Sequence, residues 1–204
     1  MPNDAAENLL KLLSRWAGGR ALSGKGGRLI CYQPQLAAQA YLHCLYAGLS
    51  RSEIAEIEAT VGQPLPPRLL DFYTATNGAR LFEGMVSVSG LVTSFSRDPS
   101  RPVPVSIEHD NQHFSIFRPE WHGKGYFRIG GISFLRQDEL LCGSDDQIVV
   151  LHAQTGEPLR YYPDVFSCLE SLTREMAQFW TVEGVFTGDW STINQLVLGV
   201  GGTA

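Results

Sequence analysis

The chain has 204 residues, enough for one well-cored domain with an extension and short for two full ones. A hydrophobic share of 44% and a charged share of 18% are ordinary for a globular protein, and 21 glycines with 11 prolines point to many turns, not to disorder. The net charge of −5 is unevenly spread: residues 1–51 carry six basic and two acidic side chains, the remainder ten and nineteen. Such an acidic body lacks the clustered Lys and Arg that phosphate contacts need, which excludes nucleic acid as the expected partner. It suits a basic partner, or solubility alone.

The four cysteines, Cys31, Cys44, Cys142 and Cys168, contain no C-x-x-C pair and make no disulfide framework. The first residues are polar and acidic, unlike a signal peptide, and no apolar run approaches the roughly 20 residues that cross a bilayer. A soluble cytoplasmic protein without membrane contact is the expectation.

In chain order, Asn3 or Asp4 can cap a first helix on which Leu9, Leu10, Leu13 and Trp16 recur at helical spacing, ended by Gly18-Gly19. Gly24-Lys25-Gly26-Gly27 is expected as flexible loop and residues 29–32 as a short strand. Residues 35–48, rich in Ala and Leu, predict a second helix. Ser50-Arg51-Ser52-Glu53 is a capping box opening the next helix, with Ile54, Ile57 and Val61 on one face and Gly62 as its stop. Leu65-Pro66-Pro67 starts another, whose apolar side is Leu69, Leu70, Phe72 and Tyr73 and which Asn77-Gly78 ends.

Strand patterns follow over 81–90, 125–130, 139–143 and 147–152. Residues 94–104 predict a loop, and 113–117 alternate loosely. The turn at 154–157 makes 147–162 a hairpin. Asp164 or Ser167 opens a last helix with Phe166, Leu169, Leu172, Met176 and Phe179 in register. Helices first, short antiparallel strands next and a closing helix give an α+β fold: a twisted, mainly antiparallel sheet packed against N-terminal helices and a C-terminal helix. The expected organisation is a helical extension over 1–48, a domain over 49–185 and a tail over 186–204.

Several residue sets bear on chemistry. Residues 19–26 nearly match a phosphate-binding loop, but Gly26 stands where Ser or Thr would hold Mg²⁺ and a helix precedes where a strand should, so a linker is expected. His109 and His113 are four apart with Glu108 beside them, but the surroundings do not predict a helix and no third ligand is evident. Cys142 and His152 could pair as nucleophile and base, but no nucleophile elbow is present and Cys142 reads as core. No catalytic residue, metal or cofactor is therefore expected. Asp138, Glu139, Asp145 and Asp146 form an acidic cluster without Ca²⁺-loop spacing. With Tyr161 and Tyr162 they make the expected partner-binding face, an alternative being a solvated hairpin edge guarded by charge. Trp121 and Trp190 are further aromatic candidates.

Leu49-Ser50-x-x-Glu53-Ile54, Ile57-Glu58, Val61-Gly62, Leu65-Pro66, Leu69-Leu70-x-Phe72-Tyr73 and Asn77-Gly78, in that order, resemble the start of the SUKH (Smi/Knr-type) domain. Phe127-Arg128-Ile129-Gly130, Asp138-Glu139-Leu140-Leu141, Ile148-Val149-Val150-Leu151 and Phe166-x-x-Cys168-Leu169-Glu170 follow the order of the same superfamily. The resemblance covers roughly residues 49–180 and leaves out 1–48, the 94–124 insertion and the tail. It implies an α+β domain without catalytic residues that binds a protein, typically a toxin enzyme, as bacterial immunity proteins do. A housekeeping role like that of fungal cell-wall-synthesis regulators is the alternative, and a small-ligand or metal-binding protein a more distant one.

Overall fold

The structure, a computed structural model, describes residues 4–16, 18–22, 26–37, 40–93, 102–133 and 137–189. Its elements follow the chain as α1 (Asp4–Leu13), β1 (Arg20–Ala21), β2 (Arg28–Tyr32), β3 (Tyr41–Leu45), α2 (Arg51–Val61), α3 (Pro67–Ala75), β4 (Ala79–Leu81) and β5 (Val86–Val88). Three short helices come next, α4 (Ile107–Asn111), α5 (Phe114–Phe117) and α6 (Pro119–His122). Then follow β6 (Phe127–Ser133), β7 (Gln137–Cys142), β8 (Ile148–Leu151), β9 (Pro158–Tyr162) and α7 (Val165–Met176). The nine strands form one sheet in sequence order, every neighbour antiparallel. This is the expected α+β class. No helix among the described residues is long and apolar enough to cross a membrane.

The local signals between 50 and 78 act as their chemistry dictates. Ser50 Oγ accepts the Glu53 N–H, while the Glu53 carboxylate accepts the Ser50 N–H at 2.7 Å. Gly62 closes α2 in a left-handed conformation, φ 76°, that costs glycine little. Ile54 and Ile57 of α2, Leu69, Phe72 and Tyr73 of α3, and Phe166, Leu169 and Leu172 of α7 are buried in one core with Leu9 and Leu13 of α1. That core lies on one face of the sheet, the inner face.

The helix predicted over 35–48 is not formed. Within it, Tyr41–Leu45 is β3, paired with β2 and, across residue 49, with β4. Four of its five residues are buried, so its side chains are covered on both faces. Cross-strand pairing and burial outweigh the helix propensity of Ala and Leu, which is worth only tenths of a kcal/mol per residue. Among the described residues between α1 and residue 49, the regular elements are thus strands, β1, β2 and β3. The second departure is α4–α6, in a stretch that carries no helical period. α4 begins at a Ser106 cap, whose Oγ accepts the His109 N–H. These helices are five, four and four residues long, too short to print a repeat. The third lies within 81–90, where a one-turn 3-10 helix at Phe82–Gly84 separates β4 from β5. Residues 94–101 lie outside the described residues.

Candidate functional site

Register places the outer-face residues in a row across the sheet: Leu29, Cys44, Arg80, Ser87, Gly131, Glu139 and Leu151 are successive cross-strand partners. The ends of the row are apolar and covered. Leu29 and Cys44 pack with Tyr46 at one end. Leu151 packs at the other with Leu141, Val149, Phe114 of α5 and Trp121 of α6. The middle of the row is polar. There the sheet opens into a trough of about 440 Å³, floored by Ser87 and Gly131 and flanked by Arg80, Arg128 and Asp110.

The six residues expected to form one partner face are not brought together. Asp138 and Glu139 sit at the start of β7, Asp145 and Asp146 in the turn beyond its end. At about 3.3 Å per residue the two pairs are separated by most of a strand length. Asp138 is 1% exposed, and its Oδ1 accepts the Ala153 N–H at 3.2 Å. Glu139 is held by Arg118, whose Nε and Nη2 donate to the two carboxylate oxygens at 3.0 and 3.1 Å. The same Arg118 Nη2 donates to the Ala153 carbonyl at 2.6 Å, which ties α5 and α6 to the β8–β9 turn.

Asp146 has left-handed backbone, φ 69°, and its Oδ1 accepts the N–H groups of Arg68 and Leu69 at 2.8 and 3.1 Å. It supplies from the β7–β8 turn the cap that Pro66, the first residue ahead of α3, cannot give. Burial raises its carboxyl pKa against the two backbone donors that lower it. Asp145 is exposed, and its Oδ1 accepts the Gln147 N–H. Tyr161 is 55% exposed on the outer face, as the partner of Val149. Tyr162 packs against the inner core, beside Arg160, whose guanidinium pairs with Glu175 of α7 at 2.7 Å. Of the six, Asp145 and Tyr161 face solvent.

The remaining sequence candidates are placed as follows. Trp121 is buried, and Trp190 lies outside the described residues. Of residues 19–26, Ser23–Lys25 are also outside them; Arg20 and Ala21 form β1, which pairs with β2. His109 is on α4, correcting the non-helical expectation, and His113 precedes α5; both are exposed. No group of three or more His, Cys, Asp or Glu among the described residues could hold a metal ion. Cys142 is wholly buried, burial pushes its thiol pKa far up, and Sγ donates to the Gly143 carbonyl at 3.5 Å. His152 Nδ1 accepts the Gln154 and Thr155 N–H groups.

Two features of the outer face escaped the sequence. One is the exposed pair Ile116 and Phe117, at 70% and 69%, on the helical cover over β7 and β8. The other is the central trough. Its signal was present in Ala79-Arg80-Leu81 and Val86-Ser87-Val88, each a polar residue between two buried ones. Comparison with protein-family models and with curated proteins finds no match to this chain.

Proposed function

We propose that this chain is a non-catalytic protein-binding module of the SUKH type, an immunity protein that binds and neutralises a cognate toxin in the cytoplasm. The observation that carries this reading is the Ile116–Phe117 pair. Two adjacent large apolar side chains, each about two-thirds exposed, sit on a four-residue helix fixed from beneath by Phe114 and by the Arg118–Glu139 pair. Rigidly mounted aromatic side chains are the commonest anchors of protein interfaces. The ordered motifs over 49–78 support the scaffold assignment, and the scaffold alone does not define a function.

The test takes the proteins encoded by the neighbouring genes, expresses any toxin-like domain among them, and asks whether this chain binds it and protects against it. Co-expression is expected to restore growth, and calorimetry to show a complex. Phe117→Ser is expected to weaken the complex about tenfold or more, roughly 1.4 kcal/mol, without moving the thermal midpoint. A wild-type chain that neither binds such a domain nor protects against it would overturn the reading.

A further inference from the structure

Four of the basic side chains before residue 49, Lys11, Arg15, Arg20 and Arg28, gather at the end of the sheet remote from Ile116 and Phe117. β1 is the first strand in the sheet order and β9 the last. Between β1 and α1 runs an open groove of about 550 Å³, lined by Lys11 and Ser14 of α1, Arg20 and Ala21 of β1, and Arg28 and Ile30 of β2. No acidic side chain is among the described residues that line it, and Glu7, one turn before Lys11 on α1, is outside that lining. All four cations are exposed, and none has a carboxylate partner among the described residues. Arg15 lies over the Trp16 ring at 4.9 Å and Arg20 over the Tyr41 ring at 5.8 Å, while Arg28 Nη1 donates to the Gly27 carbonyl at 2.9 Å.

The edge beside these cations is open. The Leu22 N–H donates to the Gly27 carbonyl at 2.9 Å, which makes Leu22 and Gly27 a hydrogen-bonded pair at the end of the β1–β2 ladder. Such pairs alternate with non-hydrogen-bonded ones in an antiparallel ladder. Ala21, opposite Arg28, is therefore a non-hydrogen-bonded position, and its N–H and C=O point away from β2. A free strand edge is a template for a further strand, and proline is one of the devices that close it. β9 has Pro158 as its first residue and Pro163 directly after its last. β1 and its neighbours from Gly18 to Leu22 have none.

From this geometry we infer that β1 takes up an extended acidic segment of a partner protein as a further strand of the sheet. Backbone pairing at Ala21 supplies the attachment, and the cations select an acidic sequence over a basic one. The side chains of an added strand alternate between the two faces. Arg28 shares a face with Ala21 and stands beside Lys11, whereas Arg20, paired with Leu29, is on the outer face. Consecutive carboxylates on the incoming strand thus each meet a cation, one on either side of the sheet.

The test titrates the ¹⁵N-labelled full chain with acetyl-Thr-Glu-Glu-Val-Glu-Thr-amide. Saturable shifts are expected at the Gly19 and Ala21 amides, with slowed hydrogen exchange at Ala21 as its N–H gains an acceptor. An exposed ion pair is worth at most about fivefold in affinity, so Arg28→Glu is expected to weaken binding about threefold. Lys11→Glu, Arg20→Glu and Arg28→Glu together are expected to weaken it about tenfold or more. Ala21→Pro keeps all four cations but removes the outward N–H, and is expected to abolish binding. The same peptide with lysine for glutamate is expected not to bind. Equal binding of the lysine peptide, undiminished binding by a folded Ala21→Pro chain, or no shift with the acidic peptide would overturn the inference. So would sedimentation with phosphatidylserine vesicles in the absence of peptide binding, which assigns the basic face to a membrane. A concentration-dependent dimer abolished by Ala21→Pro overturns it in favour of a second copy of this chain. None of these outcomes bears on Ile116 and Phe117 or on toxin binding.

Discussion

His43 shows how a single residue couples the fold to pH. It lies on β3 with none of its surface exposed, its ring 4.6 Å from that of Trp16 and 4.7 Å from that of Phe82. Nδ1 accepts the Phe82 N–H at 3.3 Å, and Nε2 has no partner among the described residues. Burial lowers its pKa to about 3. Above the unfolded value of about 6.5 the imidazole is neutral in both states and pH has no effect through it. Below that value the unfolded chain takes up a proton that the native chain refuses. Stability is therefore lost as pH falls from about 6.5 towards 3, at no more than about 1.4 kcal/mol per unit. His43→Gln removes the titration and keeps a side-chain acceptor near Phe82. Urea unfolding of both proteins between pH 7 and 4 is expected to show the wild type losing stability faster than the variant on acidification, by about 1 kcal/mol per unit. Parallel pH profiles would mean that the ring is protonated, or reached by water, in the native state.

At the scale of elements, what was legible depended on whether the signal was local. The capping box of α2, its Gly62 stop and the apolar faces of α2, α3 and α7 are written within a few residues each, and they form as written except at Leu70, which is exposed. β3 is specified by neighbours distant in sequence: His43 faces Ile30, and Leu45 faces Ala79. No window over 35–48 contains those partners, so Ala and Leu content misleads. The acidic residues failed as a cluster for a related reason. Proximity in sequence across a strand and its turn is not proximity in space, and all four carboxylates serve backbone or Arg118. Asp146 illustrates the cost of removing one. Asp146→Ala leaves the Arg68 and Leu69 N–H groups without their acceptor and keeps a non-glycine residue at positive φ. A loss of about 1–2 kcal/mol is expected in denaturant unfolding. Asp146→Asn, which keeps a carbonyl acceptor and tolerates the left-handed backbone, is expected to lose less than about half of that. Equal losses in the two variants would show that charge, not the cap, is what α3 needs from this turn.

At the scale of the whole molecule, the question is whether residues before 49 are an appendage. Leu9, Leu13 and Trp16 are buried in the same core as α2, α3 and α7. Trp16 Nε1 donates to the Thr181 carbonyl at 3.0 Å, and Gln33 Nε2 donates to the Glu183 and Gly184 carbonyls, both at 3.2 Å. The first strands and the chain after α7 are thus joined through buried polar contacts as well as through the sheet, where β3 pairs with β4. Such an arrangement makes one cooperative unit, because α1 cannot leave without exposing the apolar surface of α7 and the aromatic group around Phe82, which contacts Trp16, His43 and Trp180. Leu13→Ala tests this. Its side chain is wholly buried, so truncation is expected to cost about 2–5 kcal/mol. The loss is expected to shift a single transition, with tryptophan fluorescence and far-ultraviolet circular dichroism giving coincident midpoints. An independent extension predicts instead an early transition, seen by Trp16 and moved by the substitution, ahead of a main transition that stays in place.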